Sequence, residues 1–146
     1  MRRVRYAELH ALSNFTFLRG ASHPEELVET AAALGYDALA ITDECSMSGV
    51  VRAHMAANPL ELKLIIGSEL RLQSGRKLVV LAQNRNGYAA LCRLVTRARR
   101  AAEKGSYVLK RSFFEEGLPD CVVLWVPDEA LALDVEDHWI RETFRD

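Results

Sequence analysis

Apolar residues along the chain follow two alternating patterns. Short apolar runs of the kind found in buried β-strands occur at residues 4–10, 38–42, 62–66, 70–72, 77–82 and 121–126. Between several of these runs, apolar residues recur every three or four positions, which predicts helices at 22–35, 50–57 and 87–102 and a weaker one at 136–144. The alternation of strands with helices predicts an α/β fold.

Local signals set the expected ends of these elements. Ser22 is predicted to cap the first helix, with Glu25 completing a capping box, and Gly35 is predicted to end it. The expected apolar face of this helix consists of Leu27, Val28, Ala31 and Leu34. Gly67 and Ser68 predict a β-bulge, and the turn at Ser74-Gly75 predicts a hairpin into residues 77–82.

Apolar strands in this order favour a mainly parallel sheet or a barrel. A closed (β/α) barrel usually needs about 200 residues or more, whereas this chain has 146. With about five predicted strands, the chain is expected to form either an open sheet or a truncated barrel, and we favour the truncated barrel.

Composition narrows the class of protein. Hydrophobic residues make up 49% of the chain and charged residues 27%, so a packed core is expected. The 19 basic and 20 acidic residues leave a net charge of −1, so DNA binding would require a local patch or another domain. No apolar run predicts a membrane span or a signal peptide. Cys45, Cys92 and Cys121 form no Cys-x-x-Cys pair, and we expect a reducing, cytoplasmic setting.

Basic residues concentrate on and after the helix predicted at 87–102. Arg93, Arg97, Arg99, Arg100 and Lys104 are interpreted as a solvated surface, because they are expected to spread over several helical faces. The alternative is that this surface faces DNA.

Polar residues recur where the first three strands are predicted to end. These are His10, the pair Asp43-Glu44, and Glu69. Parallel α/β folds place their active sites at this edge of the sheet. Spacing alone also permits structural roles, but a carboxylate such as Glu69 after a very apolar strand requires a partner.

Two segments resemble the opening motifs of the polymerase and histidinol phosphatase (PHP) domain. They are ELHALSNFTFLRGASHPEELVETAAALGYDALAITDECSMSGVVRAH and LKLIIGSEL, and the segment LVVLAQNRNGYAALCRLVTRARRAAEKGSY extends the likeness. The version they resemble most is the one at the N-terminus of bacterial error-prone, C-family DNA polymerases. The resemblance implies the N-terminal part of a distorted (β/α) barrel, a single domain over 1–146 in which 1–72 carries the motif positions.

The resemblance also implies a set of metal-ligand positions. Active PHP phosphoesterases open with His-x-His, an aspartate in a following turn, Thr-Asp-His and Gly-x-Glu. Transferred to this chain, His10 and Glu69 match, whereas Leu12, Arg19 and Glu44 replace a histidine, an aspartate and a histidine. His10, Glu44 and Glu69 are thus the residual ligand positions, with Asp43 as their neighbour.

Electrostatics predicts that metal hydrolysis is lost. Two unit charges about 4 Å apart interact by about 4 kcal/mol at an effective dielectric of about 20, and a dication facing Arg19 would roughly double that repulsion. We hypothesise that Arg19 replaces the metal charge among Asp43, Glu44 and Glu69. No catalytic residue and no cofactor are therefore expected in these residues.

The resemblance implies the function of a longer parent protein. That protein would copy damaged DNA, with magnesium at a separate polymerase domain, and would engage its own polymerase body, a sliding clamp and mutagenesis accessory proteins. Two alternatives stay open: an active metal-dependent phosphoesterase or 3′–5′ proofreading exonuclease, and a non-catalytic interaction module.

Overall fold

The computed structural model describes residues 5–127 and 135–144. The five strands are β1 (Ala7–Ala11), β2 (Ala38–Ile41), β3 (Lys63–Arg71), β4 (Lys77–Ala82) and β5 (Cys121–Val126). The four α-helices described are α1 (Pro24–Ala33), α2 (Val50–Ala57), α3 (Arg85–Arg100) and α4 (Val135–Thr143). The chain divides into two compact units, Met1–Ser68 and Glu69–Asp146, and β3 belongs to both.

The first unit contains parallel strands in the order β1-β2-β3. The pairing of β2 with β3 is regular from Ala38 opposite Lys63 onward. The register of β1 shifts between Glu8 and Ala11, so that two residues of β1 face one of β2. Strand β3 continues through residues 67–68, where the bulge was predicted, and that bulge stays a prediction.

Helix α1 begins one residue later than the capping pattern predicted. Pro24 occupies its first turn, where a fixed φ and a missing N–H have no cost, so His23 becomes the N-cap in place of Ser22. The Glu26 carboxylate accepts a hydrogen bond from the His23 backbone N–H at 2.7 Å, the role that was predicted for Glu25. Gly35 follows the helix at φ 73°, as a C′ glycine does.

The core of the first unit lies between α1, α2 and the parallel strands. Its buried residues are Val28, Ala31, Leu39, Ile41, Ala53, Ala57 and Leu62. Leu34, which was predicted to belong to the apolar face of α1, is 64% exposed, because it follows the last turn of the helix. Three of these seven buried residues are alanines, which let the helices approach the sheet closely.

The second unit contains strands in the order β3-β4-β5. Strands β4 and β5 are antiparallel and in register from Lys77 opposite Val126 to Ala82 opposite Cys121. The prediction of a mainly parallel sheet therefore fails for this unit. The tight turn after β3 matches the predicted hairpin: Leu72 N–H donates to Arg76 O at 2.8 Å, and Gly75 has φ 91°.

Helix α3 packs against β4 and β5. Its N-cap, Asn84, accepts hydrogen bonds from the backbone N–H groups of Asn86 and Gly87, so the helix begins two residues before the predicted start. A Cβ on Gly87 would lie 2.0 Å from the carbonyl oxygen of Asp120, so only glycine permits this approach. Helices of the described ranges include none that is both long and apolar enough to span a membrane.

Candidate functional site

The carboxylate of Asp43 organises the loop between β1 and α1. Asp43 lies two residues after β2 and is 1% exposed. Its Oδ1 accepts hydrogen bonds from Ser13 N–H at 2.8 Å and Thr16 Oγ1 at 2.7 Å. Its Oδ2 accepts one from Ser13 Oγ at 2.7 Å. Hydrogen bonds to a charged acceptor are stronger than neutral ones, so Asp43 holds the loop firmly against the end of β2.

Close backbone turns shape this loop. Gly20 N–H donates to Thr16 O at 2.9 Å, and a Cβ on Gly20 would lie 1.9 Å from Ser13 O. Leu18 adopts a left-handed conformation with φ 63° and is 88% exposed. The loop is thus compact around Ser13 and Thr16, whose side chains face Asp43.

The side chain of Arg19 extends from this loop and forms an ion pair with Glu44. Its Nη1 donates to Glu44 Oε2 at 2.6 Å, and the two side chains are 35% and 24% exposed. The backbone N–H of Glu44 also donates to Thr16 Oγ1 at 3.0 Å. Glu44 is one of the three carboxylates that the hypothesis named as partners of Arg19. The carboxylate of Asp43, the second, is bound by Ser13 and Thr16, and the role of Glu69 stays a prediction.

Two small residues complete the surroundings of Asp43. Ser68 Oγ donates to the backbone carbonyl of Asp43 at 2.7 Å and accepts from Ser46 N–H at 3.3 Å. A Cβ on Gly49, which precedes α2, would lie 2.9 Å from Asp43 Oδ2. Asp43 is therefore enclosed by short polar side chains and by the start of α2.

The remaining predicted site residues lie within or beside the strands. His10 is in β1, at the register shift, and its backbone N–H donates to Glu8 Oε1 at 2.9 Å. Leu12 follows β1 and is half-buried. Glu69 lies inside β3 and is completely buried, whereas it was predicted to follow the strand.

Two carboxylates at this edge of the sheet already have partners. Both oxygens of Asp43 accept hydrogen bonds from Ser13 or Thr16. Glu44 already binds the guanidinium of Arg19. Across residues 5–127 and 135–144, no group of three or more His, Cys, Asp or Glu is arranged to hold a metal ion.

Sequence reasoning missed Thr16 and Ser68. Hydroxyl residues are common in loops, and the contact of Thr16 with Asp43 spans 27 residues of sequence. The available signal was Ser13-x-x-Thr16 after a strand, a spacing at which two hydroxyls can share one acceptor. Ser13 also orders the loop locally, since its Oγ accepts a hydrogen bond from Phe15 N–H at 3.2 Å.

Comparison with known proteins identifies the family. The sequence profile of the PHP domain matches residues 8–126. The chain belongs to the PHP domain family. Among curated relatives, the error-prone DNA polymerase of Methylococcus capsulatus is 61% identical over 140 residues. The corresponding proteins of Dechloromonas aromatica and Pseudomonas aeruginosa are 62% and 52% identical. The match covers 95% of this chain and 13–14% of these relatives.

Two solved structures share the fold of this chain. A protein named as a metal-dependent phosphoesterase from Bifidobacterium adolescentis superposes with a TM-score of 0.54 at 22% identity, over 68% of this chain and 35% of its own. An amidohydrolase from Chromobacterium violaceum gives 0.54 at 26% identity, over 65% and 34%. The predicted fold class, an α/β portion of a PHP-type barrel with five strands, is confirmed.

Proposed function

We propose that this chain is a non-catalytic PHP domain that serves as a structural part of an error-prone DNA polymerase. The assignment to a polymerase is supported by relatives of 52–62% identity that carry this name. The loss of phosphoesterase chemistry is supported by one contact above all, the 2.6 Å pair between Arg19 Nη1 and Glu44 Oε2.

Arg19 stands at the sequence position where the family resemblance implies a metal-binding aspartate, and it brings a permanent positive charge to that position. A guanidinium stays protonated at all accessible pH values, so it repels a dication under every working condition. Glu44 stands at another implied ligand position, and its carboxylate is engaged by that guanidinium. The pair engages both side chains and links the β1–α1 loop to the segment that follows β2.

The activity that we propose for the whole polymerase is DNA synthesis past lesions during damage-induced mutagenesis. Magnesium would act at a separate polymerase domain, where the phosphoryl chemistry needs it. The partners of the chain would be the polymerase body, DNA, the sliding clamp and mutagenesis accessory proteins, and the setting would be the bacterial cytoplasm. Within that assembly the PHP domain would pack against the polymerase body and would not take part in nucleotidyl transfer.

The second candidate is an active phosphoesterase or 3′–5′ exonuclease. The observation in its favour is that His10 and Glu69 remain at implied ligand positions, and that Glu69 is completely buried. A buried carboxylate at such a position is a typical component of a metal site.

Metal content and hydrolysis of the purified protein distinguish the two candidates. The wild-type chain is incubated with Mn²⁺ or Zn²⁺, desalted, and assayed for bound metal and for release of phosphate from a chromogenic phosphomonoester. We expect substoichiometric metal and no hydrolysis, unchanged by His10→Ala. A variant that restores the implied ligands, Leu12→His with Arg19→Asp and Glu44→His, is expected to retain metal.

The opposite result would favour the second candidate. If the wild-type chain retained one or more equivalents of metal, and if His10→Ala removed both metal and hydrolysis, the proposal of a structural domain would be wrong. A circular dichroism spectrum of each variant serves as the control for folding.

A further inference from the structure

Positive charge is concentrated in one part of the second unit. Helix α3 contains five arginines and no acidic residue. Residues 85–113 hold eight Lys and Arg side chains and one Glu, although the chain as a whole has a net charge of −1. Such local asymmetry produces a positive field over this surface, which the overall charge conceals.

Three of these arginines border a single groove on α3. The α3 groove has a volume of about 540 Å³ and is lined chiefly by Cys92, Arg93, Thr96, Arg97, Arg100 and Phe113. Arginines at i, i+4 and i+7 share one face of a helix, and all three of these residues are exposed. Arg99 lies on another face, where its guanidinium is 5.3 Å from the ring centre of Tyr107.

The groove combines these charges with aromatic surface. The guanidinium carbon of Arg97 lies 4.1 Å from the ring centre of Phe113, a stacking distance that orders both groups. Tyr88, one turn before Cys92 and 38% exposed, extends the same face. The lining side chains of the α3 groove include no acid.

Helix electrostatics explains only part of this arrangement. Arginines in the last turn stabilise a helix through its dipole, which accounts for Arg97, Arg99 and Arg100. The effect fades beyond the last turn and therefore does not account for Arg93. It also does not require an aromatic ring beside the guanidinium groups.

We propose that the α3 groove binds single-stranded nucleic acid. Arg93 and Arg100 would contact phosphates, and the Arg97–Phe113 stack would receive an unpaired base. Basic grooves that present aromatic rings are typical of proteins that hold single strands, since every base offers a face for stacking. A duplex would use the arginines but would present no unpaired base to the Arg97–Phe113 stack. This role is separate from the proposed structural function and does not depend on it.

An acidic protein segment is the competing occupant. It would satisfy the guanidinium groups, but it offers no planar apolar face for Phe113. Glu116, which lines an adjoining cleft of about 290 Å³ with Arg93 and Arg97, would weaken either ligand by repulsion. The positive charge of the arginines and the ring of Phe113 together favour a nucleic acid over an acidic protein segment.

Fluorescence anisotropy with a labelled oligothymidylate of about 16 nucleotides tests this proposal on the 146-residue chain. We expect Arg93→Glu with Arg100→Glu to weaken binding about tenfold or more and to lower the slope of log K against log salt by about 1.4. The matched control, Arg85→Glu with Lys104→Glu, changes the net charge equally at exposed positions outside the lining, and we expect a much smaller loss.

The ring is tested separately. Phe113→Leu is expected to weaken binding about tenfold, and Phe113→Tyr to retain it. Competition distinguishes the ligands: unlabelled single strand should displace the probe better than duplex, free thymidine monophosphate or polyglutamate at equal charge. Equal losses in both double variants, an unaffected Phe113→Leu, or equal competition by polyglutamate would each overturn the proposal. Circular dichroism spectra establish that every variant is folded.

Discussion

The conformation of the β1–α1 loop depends on the carboxylate of Asp43. Replacing it by alanine leaves Ser13 N–H, Ser13 Oγ and Thr16 Oγ1 without their buried acceptor. Hydrogen bonds to charged groups contribute about 1.5–3 kcal/mol each, and partners left unpaired add a desolvation cost. We therefore expect Asp43→Ala to lower the free energy of unfolding by about 3–5 kcal/mol, as measured by urea denaturation.

Asp37 provides a matched control. Its carboxylate accepts from Tyr6 N–H at 2.9 Å and pairs with Arg5 at 3.5 Å, but it lies near the surface. Asp37→Ala should cost about 1 kcal/mol or less. Similar losses for the two variants would contradict a special role of Asp43.

Cys121 gives the fold a dependence on alkaline pH. Burial, and to a smaller extent the nearby Asp120 carboxylate, raises the pKa of the Cys121 thiol above its usual value of 9.0. The folded state therefore holds this proton more tightly than the unfolded state. The resulting stabilisation is complete at pH values below the pKa of the thiol in the unfolded state. It is lost as the pH rises through the pKa of the thiol in the folded state.

We expect urea denaturation of the wild type to show a decline in stability above about pH 8.5, where an ordinary thiol begins to ionise. In Cys121→Ala the decline should be shallower, because the titrating thiol is gone. Parallel curves for the two proteins between neutral and strongly alkaline pH would show that Cys121 makes no such contribution.

At the scale of elements, the contact between α3 and the segment before β5 depends on Gly87. Glycine to alanine inside a helix normally stabilises it by up to about 1 kcal/mol. Here the new Cβ would lie 2.0 Å from Asp120 O and 2.8 Å from its carbonyl carbon, so backbone must move. We expect Gly87→Ala to reverse the usual sign and to destabilise the protein by about 2–3 kcal/mol in urea denaturation.

Thr96→Ala is the control, because it introduces the same residue at an exposed position of the same helix. Its effect should stay within about 0.5 kcal/mol. Were Gly87→Ala neutral or stabilising, α3 would not approach the segment before β5 as closely as described.

The ends of helices and strands were predictable where residues close by in the sequence determine them. The boundaries of α2, β4 and β5 agree with those predicted, because Pro59, the Ser74-Gly75 turn and Pro127 interrupt the pattern. The N-terminus of α1 was misplaced by one residue because Pro24 outweighed the serine cap. The antiparallel direction of β5 was not predictable. It depends on the path of the chain between β4 and β5, and a run of apolar residues does not indicate strand direction.

The candidate site was predictable in position and only partly in its contacts. The resemblance and the strand ends indicated Asp43 and Glu44, and the opposite charges of Arg19 and Glu44 made a pair plausible. The donors to Asp43 come from residues 27 and 30 positions away. Such contacts depend on the folded loop, and no spacing rule in one sequence specifies them.

For the whole molecule, the proposed loss of the metal site predicts that divalent metal ions do not change the thermal stability of the protein. A ligand that binds only the folded state at about 100 times its Kd adds about 2.7 kcal/mol, which would raise the Tm of a domain of this size by several degrees. We expect neither Mn²⁺, Zn²⁺ nor EDTA to shift the Tm in differential scanning fluorimetry. A saturable rise that His10→Ala abolishes would contradict this expectation.

The five arginines of α3 have a consequence for handling the protein. With a pI of about 6.4, the chain carries net negative charge at pH 8 and would nominally pass through a cation-exchange column. A sulfonated matrix responds to the nearest cluster of charges, however, because salt screens charges farther away than about 10 Å. We expect the protein to be retained at low salt on a cation exchanger as well as on an anion exchanger, and to elute later from the cation exchanger than another protein of equal pI whose charges are evenly distributed.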